Sequence, residues 1–206
     1  MRLAGKSSAR RRHMAKSVAT SGSGSGSAAA AARGLAPQVQ TKQALATSAT
    51  PESACAAISA MFHVDRTEVA LMRAENDVLN FLFPVELKAA GFIPLSSASA
   101  VAARTAISRK VELFNNFVIV QHANVFESIK LTTLGQSSEP GANTIQKLMT
   151  TPVIDSQHNV LGVVQICRKG LSPEDAGPDF TLNNLQELET AARVLATLPF
   201  MTTHSN

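Results

Sequence analysis

The chain has 206 residues, 45% of them hydrophobic, with 19 Lys or Arg against 15 Asp or Glu. That length is a prior for one domain with a tail. Two cysteines do not suggest a disulfide scaffold, and no run of 18 apolar residues exists to span a membrane.

The charge is unevenly placed. Residues 1–50 hold eight basic residues and no acidic one, and the remainder carries a net −4, which together give the +4 of the whole. The basic character therefore belongs to one end, and reading the whole protein as a nucleic-acid binder would mistake a tail for a domain. Arg10-Arg11-Arg12, SGSGSGS at 21–27 and AAAAA at 28–32 have too few large apolar residues to offset the entropy of ordering. The primary reading is a disordered basic leader over 1–50. A basic arm touching nucleic acid or anionic lipid and an organelle targeting peptide remain as alternatives. The folded domain is expected over 51–199, with a short tail at 200–206.

Pro51 to Val64 reads as the first helix, with Thr50 as its cap and an apolar face of Cys55, Ile58, Met61 and Phe62. Thr67 to Arg73 alternates as a strand, Glu75-Asn76-Asp77 turns the chain, and Val78 to Phe83 returns as a second strand stopped by Pro84. Leu87 to Gly91 is a connection. A small-residue helix follows, capped by Ser96 or Ser97 and ending near Ser108, then a strand at Lys110 to Phe114. A helix is expected from about Gln121 to Leu131, and GQSSEPGAN at 135–143 reads as a surface loop. Thr144 to Ile166 carries two apolar strands around the turn formers Asp155 to Asn159. Thr181 caps a closing helix whose seam is Leu185, Leu188, Ala192 and Leu195, and Pro199 ends it.

The order of these pieces carries a resemblance. Thr151-Pro152-Val153, a polar turn, then Val160-Leu-Gly-Val-Val-Gln-Ile166, a charged exit, Phe180 and a closing helix together resemble a GAF domain. Gly162, Val163, Val164 and Gln165 match the Gly-Val-Leu-Gln-like run of that family's second strand, and FIPLSSASAVAART looks like its middle segment. The resemblance covers about residues 52–198. It implies an α+β fold, GAF-like and PAS-related, with about six antiparallel strands and helices on the faces. It also implies a small-molecule pocket on one face, with the terminal helices paired between subunits.

Candidate ligand contacts are Asn115, Asn116, His122 and Gln165. The bland readings are a turn for the two Asn, a hydrogen-bonded structural role for His122, and a solvent-facing strand position for Gln165. Period 2 puts Gln165 on the face opposite Val164 and Ile166. Phytochrome-like GAF domains attach a bilin through a Cys near a His; His122 follows Gln121 with no Cys nearby, so covalent bilin is not expected. Cyclic-nucleotide-binding members share Asn-Lys, a loop, Phe, three residues and Asp-Glu. Here Lys169 and Phe180 match, while Arg168, Asn184 and Leu185 depart from the pattern. Free methionine sulfoxide reductases use several cysteines in pocket loops; Cys55 and Cys167 do not match those loops.

The expectation is a non-catalytic, cytoplasmic sensing module that needs no cofactor or metal. It would bind an unknown small molecule, form a homodimer and pass its signal to a separate partner protein. The alternatives are a scaffold that only dimerises, with Phe side chains filling its pocket, and a thiol enzyme similar to the free methionine sulfoxide reductases.

Overall fold

The computed structural model describes residues 37–97, 99–117 and 144–202. The expected helix at 121–131, the loop at 135–143 and His122 lie outside the described residues, as does the chain before residue 37. The elements run α1 (Pro37–Ala46), α2 (Pro51–Phe62), β1 (Val69–Glu75), β2 (Val78–Phe83), β3 (Phe92–Pro94), α3 (Val101–Ser108), β4 (Glu112–Phe114), β5 (Ile145–Ile154), β6 (Val160–Lys169), α4 (Leu182–Leu195) and α5 (Pro199–Thr202).

Local chemistry sets the boundaries. Thr50 caps α2, accepting from the Ser53 N–H at 3.2 Å, while the Thr50 N–H donates back to Ser53 Oγ at 3.2 Å. His63 ends α2 in the left-handed region, with φ 51°. Asn76 and Asp77 both take positive φ, 51° and 62°, as a two-residue hairpin turn with the twist of its strands requires. Thr181 and Asn184 make the same reciprocal cap for α4 as Thr50 and Ser53 make for α2.

Three boundaries differ from the sequence reading. Pro37–Ala46, placed with the leader on composition, is a helix packed on α2 and α4, and Leu45 is buried in the core. Composition averages over 1–50, so the Gly/Ser and Ala tracts hid this segment. At the other end, Met201 belongs to the core and not to a tail. In the middle, Phe92–Pro94 pairs with β2 as an edge strand, and α3 begins only at Val101 with no side-chain cap. Ser97 instead closes a turn, its N–H donating to the Pro94 carbonyl at 3.0 Å.

The six strands form one antiparallel sheet in the order β3-β2-β1-β6-β5-β4. Its two faces follow from period 2 along β6. Val164 and Ile166 join the cluster under α1, α2 and α4 with Cys55, Ile58, Phe180 and Leu188. Val163 and Cys167 point the other way and join Met72, Leu79, Phe81 and Leu148 under α3. Helices cover both faces, so β5 is buried along nearly its whole length. The predicted seam of α4 is seated, with Leu188, Ala192 and Leu195 buried and Leu185 partly so.

The β5–β6 turn is organised by one carboxylate. Asp155 Oδ1 accepts from the Gln157 and Asn159 N–H groups at 2.8 Å each, and Oδ2 accepts from Asn159 Nδ2 at 3.0 Å. The Asn159 amide, then its backbone N–H, hold the Asp155 carboxyl below its ordinary range. A lowered folded-state pKa contributes stability that is present above the ordinary value and lost as pH falls through the folded one. Asp155→Ala should therefore lower the Tm at neutral pH, and its deficit against the wild type should close as pH falls below 3.8. Thermal melts of both proteins at neutral and strongly acid pH check this; a deficit independent of pH would reject it.

Candidate functional site

The face of the sheet under α3 is the place to look for a site, because its helix is short and built of small residues. Val101, Ala102, Ala103 and Ala106 are buried against the sheet. Small side chains let the helix backbone approach closely, and they leave little volume to fill the space where the helix ends. The middle of this face is filled. Phe81 and Phe117 are buried there, and Phe117 meets Phe114 edge-on with ring centroids 5.8 Å apart.

A hydrogen-bonded chain runs through this packed region. Gln165 Nε2 donates to Thr150 Oγ1 at 3.4 Å. Thr105 Oγ1 donates to the Val101 carbonyl at 2.9 Å and sits 3.1 Å from Thr150 Oγ1. The Thr105 proton is spent on Val101, so Thr150 donates to Thr105 and accepts from Gln165. Three buried polar side chains on α3, β5 and β6 are thus linked to one another, which ties α3 to the two strands.

Open space lies at the C-terminal end of α3. A cleft of about 360 Å³ is lined by Ala106, Ile107 and Arg109 on the helix side, by Ala74 and Leu95, and by Asn159 and Val160 at the start of β6. Ile107 stands 63% exposed at this cleft. Arg109 takes a left-handed backbone, φ 56°, as α3 closes, and its N–H donates to the Thr105 carbonyl at 2.9 Å. A second, smaller cleft of about 130 Å³ lies toward α4, and Arg109, Thr151, Glu189 and Arg193 are among its lining residues.

The sequence-derived site residues fall in different places. Gln165 is on the α3 face, opposite Val164 and Ile166 as its register requires, and it is engaged with Thr150. Asn115 serves the loop before α4: its Nδ2 donates to the Phe180 carbonyl at 3.0 Å and its Oδ1 accepts from the Phe180 N–H at 2.9 Å. Asn116 is exposed beside it. The structure therefore does not gather the described three into one site. Sequence reasoning passed over Arg109, Ile107 and Asn159, whose only signal was position: a helix exit and a turn.

The Arg-Lys pair that ends β6 is structural. Arg168 Nη2 donates to the Phe62 carbonyl at 3.2 Å and Nη1 to the His63 carbonyl at 3.5 Å. These are C-terminal carbonyls of α2, where a cation complements the helix dipole. The guanidinium lies 4.9 Å from the centre of the Phe180 ring. Lys169 Nζ donates to the Thr67 carbonyl at 3.0 Å, and Asn184, at the family's acidic position, is committed to capping α4. Lys147, buried on β5, pairs with Asp179 at 2.7 Å.

Both cysteines are buried thiols. Cys55 belongs to the cluster under α2 and α4, and Cys167 to the cluster under α3, so the sheet lies between them. Burial, with Glu52 adding to it, pushes the Cys55 thiol far above its ordinary pKa. Among the described residues no group of three or more His, Cys, Asp or Glu is placed to hold a metal ion, and no helix is long and apolar enough to cross a membrane.

No family model matches the sequence, and no curated protein matches it. The fold does match solved structures. The GAF domain of an Acinetobacter phosphoenolpyruvate-protein phosphotransferase aligns with a TM-score of 0.54 at 13% identity, over 77% of this chain and 90% of that one. The GAF domain of a Coxiella burnetii phosphoenolpyruvate-protein phosphotransferase aligns at 0.52 and 10% identity, over 77% and 88%. A type II free methionine-R-sulfoxide reductase from Thermoplasma acidophilum aligns at 0.45 and 13% identity, over 84% and 100%. This chain has the α+β fold of a GAF domain, as the order and spacing of its motifs led one to expect.

Proposed function

We propose that this protein is a non-catalytic small-molecule sensing module of GAF type, which acts through dimerisation or a partner protein. The observation that carries the reading is the cleft of about 360 Å³ between the end of α3 and the sheet. Its size is within the range of small-ligand sites, and its walls are mostly apolar with two polar groups at the rim. Occupancy would favour one seating of α3, and the Gln165–Thr150–Thr105 chain would carry that preference to β5 and β6. On the far face β5 packs against α4, the closing helix that a dimer would use to read the change. The separation of Cys55 from Cys167 by the sheet supports a non-catalytic role, since a thiolate and its resolving thiol must meet.

A second reading has its own observation. Phe81 and Phe117 fill the centre of the α3 face, as a scaffold that only dimerises would have it. Native mass spectrometry of the full chain separates the two. The sensing reading expects an adduct that leaves on denaturation and is absent from Ile107→Glu, which puts a charge in the cleft. A dimer that carries no adduct, alone or with added metabolite extract, would favour the scaffold.

A further inference from the structure

We propose that the ligand of the α3 cleft is a small organic anion, a carboxylic acid with an apolar body, whose carboxylate is held by Arg109. This rests on the sensing reading above and gives the ligand its chemistry. The walls supply the first half of the argument. Ala74, Leu95, Ala106, Ile107 and Val160 offer only hydrocarbon, so the body of the ligand must be apolar to gain from burial.

Charge supplies the second half. Among the described residues, Arg109 is the one charged residue lining this cleft. It enters none of the ion pairs found among the described residues, which are Arg73–Glu75, Arg104–Glu112 and Lys147–Asp179. Glu189, which shares the smaller cleft with Arg109, is likewise absent from those ion pairs. The other polar lining residue, Asn159, has its amide nitrogen engaged with Asp155 Oδ2 at 3.0 Å, so it is not the natural partner of a ligand carboxylate. Asp155 itself is engaged by the N–H groups of its own turn, the nearby acids Glu75 and Glu112 are paired with Arg73 and Arg104, and Asp77, Lys110 and His158 also lie close to the lining residues in sequence. The anion is therefore directed to the Arg109 end, where a planar guanidinium can meet both carboxylate oxygens. A donor on the ligand's other end would suit Asn159.

The test titrates the full chain with hexanoate and with 1-hexanol by isothermal titration calorimetry at one ionic strength near neutral pH. Hexanoate should bind at least about tenfold more tightly than hexanol, the margin expected of a charge-assisted hydrogen bond. Arg109→Asn, whose side chain suits the left-handed backbone, should bring the two to parity. Arg109→Lys should keep most of the preference. Equal binding of acid and alcohol to the wild type, or a preference that survives Arg109→Asn, would overturn the anion assignment and leave the cleft standing. Binding of neither probe would overturn it as well: a cleft-dependent adduct in native mass spectrometry would then keep the sensing reading alive, and no adduct would remove both.

Discussion

Gly162→Ala is expected to cost about 3 kcal/mol or more, at the upper end of what overpacking costs. A Cβ at this position would stand 2.0 Å from the Met72 carbonyl oxygen and 2.9 Å from Met201 Cε. The methionine tip can swing away. The carbonyl cannot, because Met72 and Gly162 lie in adjoining rungs of the β1–β6 ladder, where Arg73 faces Gly162 and Met72 faces Val163. Relief would require β1 to move off β6 in the middle of the sheet. Against a total stability of about 5–15 kcal/mol, one added methyl should remove a large share, and Gly162→Val should leave little folded protein. The chain has no Trp and no Tyr, so the measurement is urea unfolding followed by circular dichroism. A loss below about 1 kcal/mol would mean that the strands do not approach so closely.

This glycine also shows why the fold was legible in the sequence. A Gly inside an apolar strand reads as a close backbone approach, and Gly162 with Val163, Val164 and Gln165 was the run on which the resemblance rested. Hairpin and cap chemistry were equally readable, since Asn76-Asp77, Thr50-Pro51 and Thr181 are local signals that no tertiary contact overrides. What failed was local chemistry under a misleading average. Leu45 is buried, yet it stands in a stretch whose composition is set by Gly, Ser and Ala tracts upstream. Ser96 and Ser97 looked like caps, but the chain turns there and pairs Phe92–Pro94 with β2 before α3 begins. A three-residue edge strand is too short for periodicity to reveal.

The site was less legible, for a physical reason. A pocket is made by what is missing between elements, and the sequence records only what is present. Gln165 could be assigned to a face by counting, and the count was right, but nothing in the string says that Thr105 and Thr150 await it. Asn115 looked like a pocket amide; its partner is the backbone of Phe180, distant in sequence and close in space. Arg109 offered only its position as a signal, and a basic residue after a helix is among the commonest of patterns.

Phe180→Ala should be the second large effect, about 3–5 kcal/mol as for other buried aromatics truncated to Ala. The ring is buried in the cluster beneath α2 and α4. Its loss would also reach beyond the cavity it leaves. Arg168 lies over the ring and from there donates to the carbonyls that end α2. Asn115 grips the backbone of the same residue, and Thr181, next in the chain, caps α4. One side chain therefore stands where the exits of β4 and β6, the end of α2 and the start of α4 converge. Phe180→Leu, which keeps most of the volume, should recover more than half of the loss. The part owed to the guanidinium is separable: the cycle of Phe180→Ala with Arg168→Ala should show a coupling of about 0.5–2 kcal/mol. Additive single effects would mean that Arg168 serves the α2 carbonyls alone, and that Lys169 and Phe180 keep the spacing of the family motif for packing without the cation above the ring.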